Sequence, residues 1–143
     1  MKNIKKFFCL SLIIVLSITF YIGCSKKELI INFVQFDIGY RKTANDYYLD
    51  FTLEFDNQTE TDILLNNNEF YGIVNEKEIT EISFHYAYEN NYYAKPIVKA
   101  NDKLTLKVRL IANVNDGEEN YIAIYYQDGL IIEDTITISN MNK

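Results

Sequence analysis

Tryptophan is absent from this chain of 143 residues, and cysteine, histidine and proline are scarce: two Cys, one His and one Pro. Both cysteines, Cys9 and Cys24, fall in the first 24 residues. No disulfide can therefore staple anything downstream, and stability there has to come from burial. A single imidazole, His85, with no thiol after position 24 excludes zinc, which draws most of its four ligands from Cys and His. The five glycines, at positions 23, 39, 72, 117 and 129, form no cluster that could cradle a phosphate. Positive charge is also short, with 14 Lys and Arg against 20 Asp and Glu. That balance argues against nucleic acid as a partner, since phosphate contacts depend on Lys and Arg.

What the chain does have begins at its first residues. Lys2, Lys5 and Lys6 precede an uncharged run from Phe7 to Ile22, followed by Gly23 and Cys24. The run is shorter than the roughly 20 apolar residues needed to cross a bilayer, so the layout predicts a cleaved secretory signal. Tyr21-Ile22-Gly23-Cys24 resembles a bacterial lipobox, with Tyr21 where the usual pattern carries an aliphatic residue. The resemblance implies cleavage between Gly23 and Cys24, with diacylglyceryl and palmitate-type chains on the Cys24 thiol. An ordinary secretory signal, or a short membrane anchor with Cys24 incidental, is the alternative.

The expected organisation is a lipoprotein signal peptide over 1–23, an anchor and short linker over 24–29, and one domain over 30–143. Three of the basic residues and none of the acidic ones lie in the signal, so residues 24–143 carry eleven against twenty, a net charge of −9. No polybasic patch is left to hold anionic lipid, and acyl chains would do the anchoring. By resemblance to sorting rules, Ser25 after the cysteine implies the outer membrane in a bacterium with two membranes. With one membrane, the outer face of the plasma membrane is implied.

From Ile30 onward the pattern alternates with a period of two. In LDFTLEFD, residues 49–56, Leu49, Phe51, Leu53 and Phe55 face one way and Asp50, Thr52, Glu54 and Asp56 the other. KLTLKVRL, residues 103–110, reads the same way, with Leu104, Leu106, Val108 and Leu110 inward. Residues 120–127 and 130–138 flank Asp128-Gly129, which predicts a tight hairpin. A first strand over 30–39 needs a bulge, because Ile31 and Phe33 are out of phase with Val34, Phe36 and Ile38. Further strands are expected at 70–74, with Asn75-Glu76-Lys77 as its turn, at 82–88, and at 93–98, where Pro96 suits an edge. Seven to eight short strands without a clear helix predict an all-β, antiparallel β-sandwich, a small barrel being the alternative.

The succession YLDFTLEFDNQTETDILL, FYGIVNEKEI, KPIVKANDKLTLKVRL and ENYIAIYYQD resembles the immunoglobulin-like domains of unknown function found in bacterial lipoproteins, including the FxLyD-type group. The carrying features are the Asn57-Gln58-Thr59 turn, the FYGIV strand and the Ala100-Asn101-Asp102 turn ahead of a long strand. The resemblance implies an immunoglobulin-like sandwich with a binding, adhesive or accessory role and no catalytic residue.

The residues themselves point the same way. Ser83 and His85 share a strand face, but no third partner or oxyanion hole is legible beside them, so His85 reads as a strand residue. The acidic stretches Asn115–Asn120 and Asp56–Asp62 lack calcium-loop spacing and read as solvated turns. No metal or cofactor is expected. Tyr86, Tyr88, Tyr92 and Tyr93 concentrate four tyrosines in eight residues, a candidate contact surface for a protein or a sugar ring. The competing reading packs Tyr86 and Tyr88 into the sandwich. A second group, Tyr40, Tyr47 and Tyr48, brackets the loop RKTAND.

The reading is a non-enzymatic, lipid-anchored cell-envelope module. Its expected partners are the membrane, through the lipid on Cys24, and an envelope protein or glycan. A structural or assembly subunit and a carboxylate-based envelope hydrolase are the alternatives.

Overall fold

The computed structural model describes residues 28–88, 91–115 and 117–138. The signal, Gly23 and Cys24 lie outside the described residues. Ten strands follow in chain order: β1 Leu29–Arg41, β2 Asp46–Asn57, β3 Ile63–Leu64, β4 Phe70–Val74, β5 Lys77–Ile79, β6 Ile82–Tyr86, β7 Ile97–Val98, β8 Asp102–Ala112, β9 Glu119–Tyr126 and β10 Gly129–Thr137. Among the described residues no helix is long and apolar enough to cross a membrane.

Two antiparallel four-stranded sheets form the sandwich, in the orders β1-β2-β8-β6 and β10-β9-β4-β5, with β3 and β7 as a separate ribbon. Setting the ribbon aside, the eight strands taken in sequence as A, B, C, C′, D, E, F and G give sheets A-B-E-D and G-F-C-C′. That is the immunoglobulin order with a C′ strand added to the second sheet. The antiparallel β-sandwich is as expected, and seven of its eight strands answer to expected ones. β3 and β5, too short to show alternation, were not expected, and the strand expected at 93–98 is reduced to β7 of the ribbon.

The core forms where inward positions of the two sheets meet. Leu49, Phe51, Leu53 and Phe55 of β2 join Leu106, Val108 and Leu110 of β8 and Ile122 and Ile124 of β9. Phe70, first residue of β4, sits edge-on to Phe55 at 6.1 Å and to Phe84 at 5.4 Å. Gly72 allows close approach of the sheets: a Cβ there would lie 1.8 Å from Leu110 Cδ2.

The bulge expected in β1 is present. Register shifts between Phe33 and Gln35, so Val34 turns to solvent while Ile31, Phe36 and Ile38 all pack against the core. The C-terminal hairpin forms as expected, but its turn lies one residue earlier. Tyr126 pairs with Gly129, so Gln127 (φ 47°) and Asp128 (φ 65°) make the two-residue loop and Gly129 opens β10. Asn75 (φ 48°) and Glu76 (φ 68°) make the equivalent loop between β4 and β5, leaving Lys77 in the strand.

The alternation of β2 holds on its inner face but not on its outer one. Asp50 and Thr52, expected to be wet, are 2 % and 4 % exposed. For Asp50 the cause is a neighbouring strand: Arg109 of β8 lies opposite it and donates to both its carboxylate oxygens, at 2.6 and 2.7 Å. The same guanidinium lies 4.2 Å from the centre of the Tyr48 ring, and that ring covers Gly39. Thr52 Oγ1 is left without a partner, the one such buried side-chain atom among the described residues.

The first sheet is longer than the second, and the β3–β7 ribbon fills the overhang, contributing Ile63 and Val98 to the core. Asn57, fully buried at the end of β2, ties this ribbon down. Its Nδ2 donates to the carbonyls of Thr61, Val98 and Lys99, and its Oδ1 accepts from Thr59 N–H and Oγ1. At the opposite end of the sandwich buried Asn120 does similar work, bonding Asn75, Asn115 and Glu118.

Two stability changes follow. Asn57→Ala leaves three carbonyls and two donors short of their partner, and should lower stability by roughly 2–3 kcal/mol in urea titration. Thr52→Val removes the orphaned hydroxyl at nearly constant volume, and should leave stability unchanged or raise it by up to about 1 kcal/mol.

Candidate functional surface

The tyrosine segment is built on the free edge of β6. After Tyr86 the chain turns and runs back beside the strand: Tyr93 N–H donates to Phe84 O at 2.8 Å, and Tyr86 N–H to Asn91 O at 3.1 Å. His85 and Tyr92 face each other as a bridge in the same antiparallel pairing. Backbone hydrogen bonds therefore brace the return segment from 91 to 93, which fixes its tyrosines in position.

Side chains divide along this hairpin. Tyr88 is 94 % exposed, Tyr92 62 % and Tyr86 42 %, while Tyr93 is half-buried against the core. Tyr86 and Tyr93 stack at 4.5 Å with 15° between their planes, and Tyr92 meets His85 edge-on at 6.0 Å. The alternation Ile82, Phe84, Tyr86, Tyr88 thus stops being inward after Phe84. Phe70, which meets Phe84, is the first residue of its strand, so the second sheet does not extend over Tyr86 and Tyr88. The reading that packs Tyr86 and Tyr88 into the sandwich does not hold for either residue.

The hairpin lies beside the ribbon. Exposed Leu64 of β3 pairs directly with exposed Ile97 of β7. Pro96, placed by sequence in a strand, precedes β7 instead; it is buried and its carbonyl accepts from Leu65 N–H. Lys99 holds Asp62 at 2.7 Å, and Lys103 reaches Glu54 at 2.8 Å. The Lys99 ammonium, with help from Ala100 N–H, lowers the Asp62 carboxyl below the ordinary range. Asp62 thus stays ionised while it braces the loop.

The other sequence candidates fall elsewhere. Ser83 Oγ and His85 Nε2 are 3.0 Å apart on the outer face of the first sheet. Arg109 and Lys107 of β8 lie opposite Ser83 and His85 in the register, with Arg109 already paired to Asp50, and Tyr92 lies on the other side of His85. Tyr40 and Tyr47 meet at 5.0 Å near the far turn, where Tyr40 OH donates to Asn45 Oδ1, while Tyr48 belongs to the Arg109 group. Of the two acidic stretches, Asn115–Asn120 is tied internally through Asn120, and Asp56–Asp62 is tied through Asp62 to Lys99 and Ala100.

A second aromatic group escaped the sequence reading. On the outer face of the second sheet, Tyr71 and Tyr125 stack at 4.8 Å with their planes 1° apart. Burial, with Asp128 and Glu78 nearby, pushes the Tyr71 phenol above its ordinary value. Tyr121 OH donates to Glu133 at 2.7 Å, and that carboxylate pushes the phenol up to about 12. The signal was present as the odd positions of FYGIV and NYIAIYY, but only strand register brings Tyr71 opposite Tyr125.

The exposed and half-buried tyrosines should separate in a thermal melt. Tyr88→Ala should change stability by no more than about 0.5 kcal/mol, whereas Tyr93→Ala should cost on the order of 1–2 kcal/mol. Equal losses from both would remove the division between surface and core described here. Comparison of the chain with family models, with curated proteins and with solved structures returned no match, so the surface has to be interpreted from its own residues.

Proposed function

We propose that this chain is a lipid-anchored module of the cell envelope that binds rather than catalyses. In this reading residues 1–23 are removed, Cys24 carries the acyl chains, and residues 24–29 link them to the immunoglobulin-like sandwich. The contact surface is the hairpin of Tyr86, Tyr88 and Tyr92.

One observation carries the reading: the hairpin holds large aromatic side chains outside the core on a braced backbone. A side chain as exposed as Tyr88 adds nothing to the fold's interior, so its flat apolar area and its hydroxyl remain available to a partner. The strand order supports it further, because immunoglobulin-like sandwiches leave loops and edges free while the sheets hold each other.

Intact mass of the membrane-extracted protein tests the anchor. The expected mass is that of residues 24–143 plus acyl chains, and Cys24→Ala should abolish both processing and lipid. A processed chain without acyl mass, or a chain retaining residues 1–23, would overturn the anchor.

A further inference from the structure

The register of the first sheet fixes which end of the sandwich lies next to the linker. Leu29 pairs with Asn57, and Asn57 with Asp102, so these three residues share the near end. Tyr47 and Ala112 pair at the far end. At about 3.3 Å per residue, the ten steps of β8 separate the two ends by about 33 Å. The five steps from Cys24 to Leu29 reach at most about 17 Å. A chain anchored at Cys24 therefore holds its near end within about 17 Å of the bilayer, while its far end can stand about 33 Å further away.

The near half carries most of the exposed apolar bulk. Leu64, Tyr86, Tyr88, Tyr92 and Ile97 are five of the nine exposed large hydrophobic residues among the described residues. The β3–β7 ribbon hangs on Asn57 at the near end itself, and Tyr86 pairs with Leu106, four residues or about 13 Å up the strand from Asp102. Lys99 and Lys103 at this end are ion-paired, Lys99 with Asp62 and Lys103 with Glu54 and Asp56, so the surface carries no unpaired cation cluster among these residues. Aliphatic side chains flanked by tyrosines suit the headgroup boundary of a bilayer, where tyrosine keeps its ring in the apolar layer and its hydroxyl wet.

We propose that this near-end surface rests on the lipid bilayer, so that the partner of the tyrosine hairpin is the membrane to which Cys24 is tied. The inference rests on the lipid anchor proposed above. A few exposed side chains hold a bilayer weakly by themselves, but a short tether makes the contact intramolecular and raises the effective concentration to the order of millimolar. The acyl chains retain the protein, and the surface sets its orientation.

The absence of tryptophan supplies the test. Tyr88→Trp and, in the exposed far turn, Lys42→Trp each place a single indole in the membrane-extracted protein. Each is reconstituted into phosphatidylcholine–phosphatidylglycerol vesicles with and without bromine high on the acyl chains. Intact mass is measured on the same preparations. In acylated protein the indole at position 88 should lose roughly half its emission to bromine while that at position 42 loses little. Adding Leu64→Ser and Ile97→Ser to the Tyr88→Trp chain should restore the emission. Acylated protein with equal emission at both positions overturns this inference alone and leaves the hairpin to a protein or glycan. Quenching that survives the two serine changes also overturns it, because the indole would then be inserting unaided. A mass without acyl chains overturns the anchor and this inference together.

Discussion

The two sheets are held together by one layer of apolar side chains, and with no cysteine beyond position 24 no covalent bond within the sandwich can share that task. Each fully buried Leu or Phe contributes about 1.5–3 kcal/mol, which must be set against the entropy of ordering the chain. Phe70 shows how localised the fit is: it touches Phe55 and Phe84 from the opposite sheet and lies 4.8 Å from Tyr126 of its own. Gly72, two residues on, lets β4 come close enough for Leu110 to fill the space where a side chain would stand. The strand order meets this need by giving β2, β8 and β9, which carry most of the buried apolar side chains, inner positions where both neighbours and the facing sheet cover them.

A sandwich built on side-chain packing is weakest where its strands run out, and buried asparagines reinforce both ends. Asn57 and Asn120 each satisfy several backbone groups that would otherwise face the core unpaired. Asn57 also has a positional role. By holding the 97–99 segment against the end of β2, it places the ribbon under the overhanging half of the first sheet.

Much of this was legible in the sequence, and the misses share a cause. Alternation located β2 and β8 because each has one apolar face long enough to read, and the Asp128-Gly129 turn located β9 and β10. The phase change around Val34 disclosed the β1 bulge because an extra residue must invert the pattern. Asp50 was misread because its partner Arg109 comes from β8, which the alternation within β2 does not report. Tyr86 was ambiguous for a similar reason: alternation reports which way a side chain points, not whether anything faces it. The Tyr71–Tyr125 stack and the one-residue shift of the last turn both depend on register, which a strand's own residues specify only in company with its neighbour's.

Both long edge strands, β1 and β10, carry a register shift against their inner neighbours, whereas the ladders of β2 with β8 and of β4 with β9 run unbroken among the described residues. An outer strand offers a row of unpaired amides and carbonyls to any second molecule, and a kink spoils its match to a straight partner. In dilute solution that hazard is slight. Proteins confined to a surface meet edge to edge far more often, so for a tethered sandwich the two bulges would act as spacers that let many copies share one membrane without zipping into fibres.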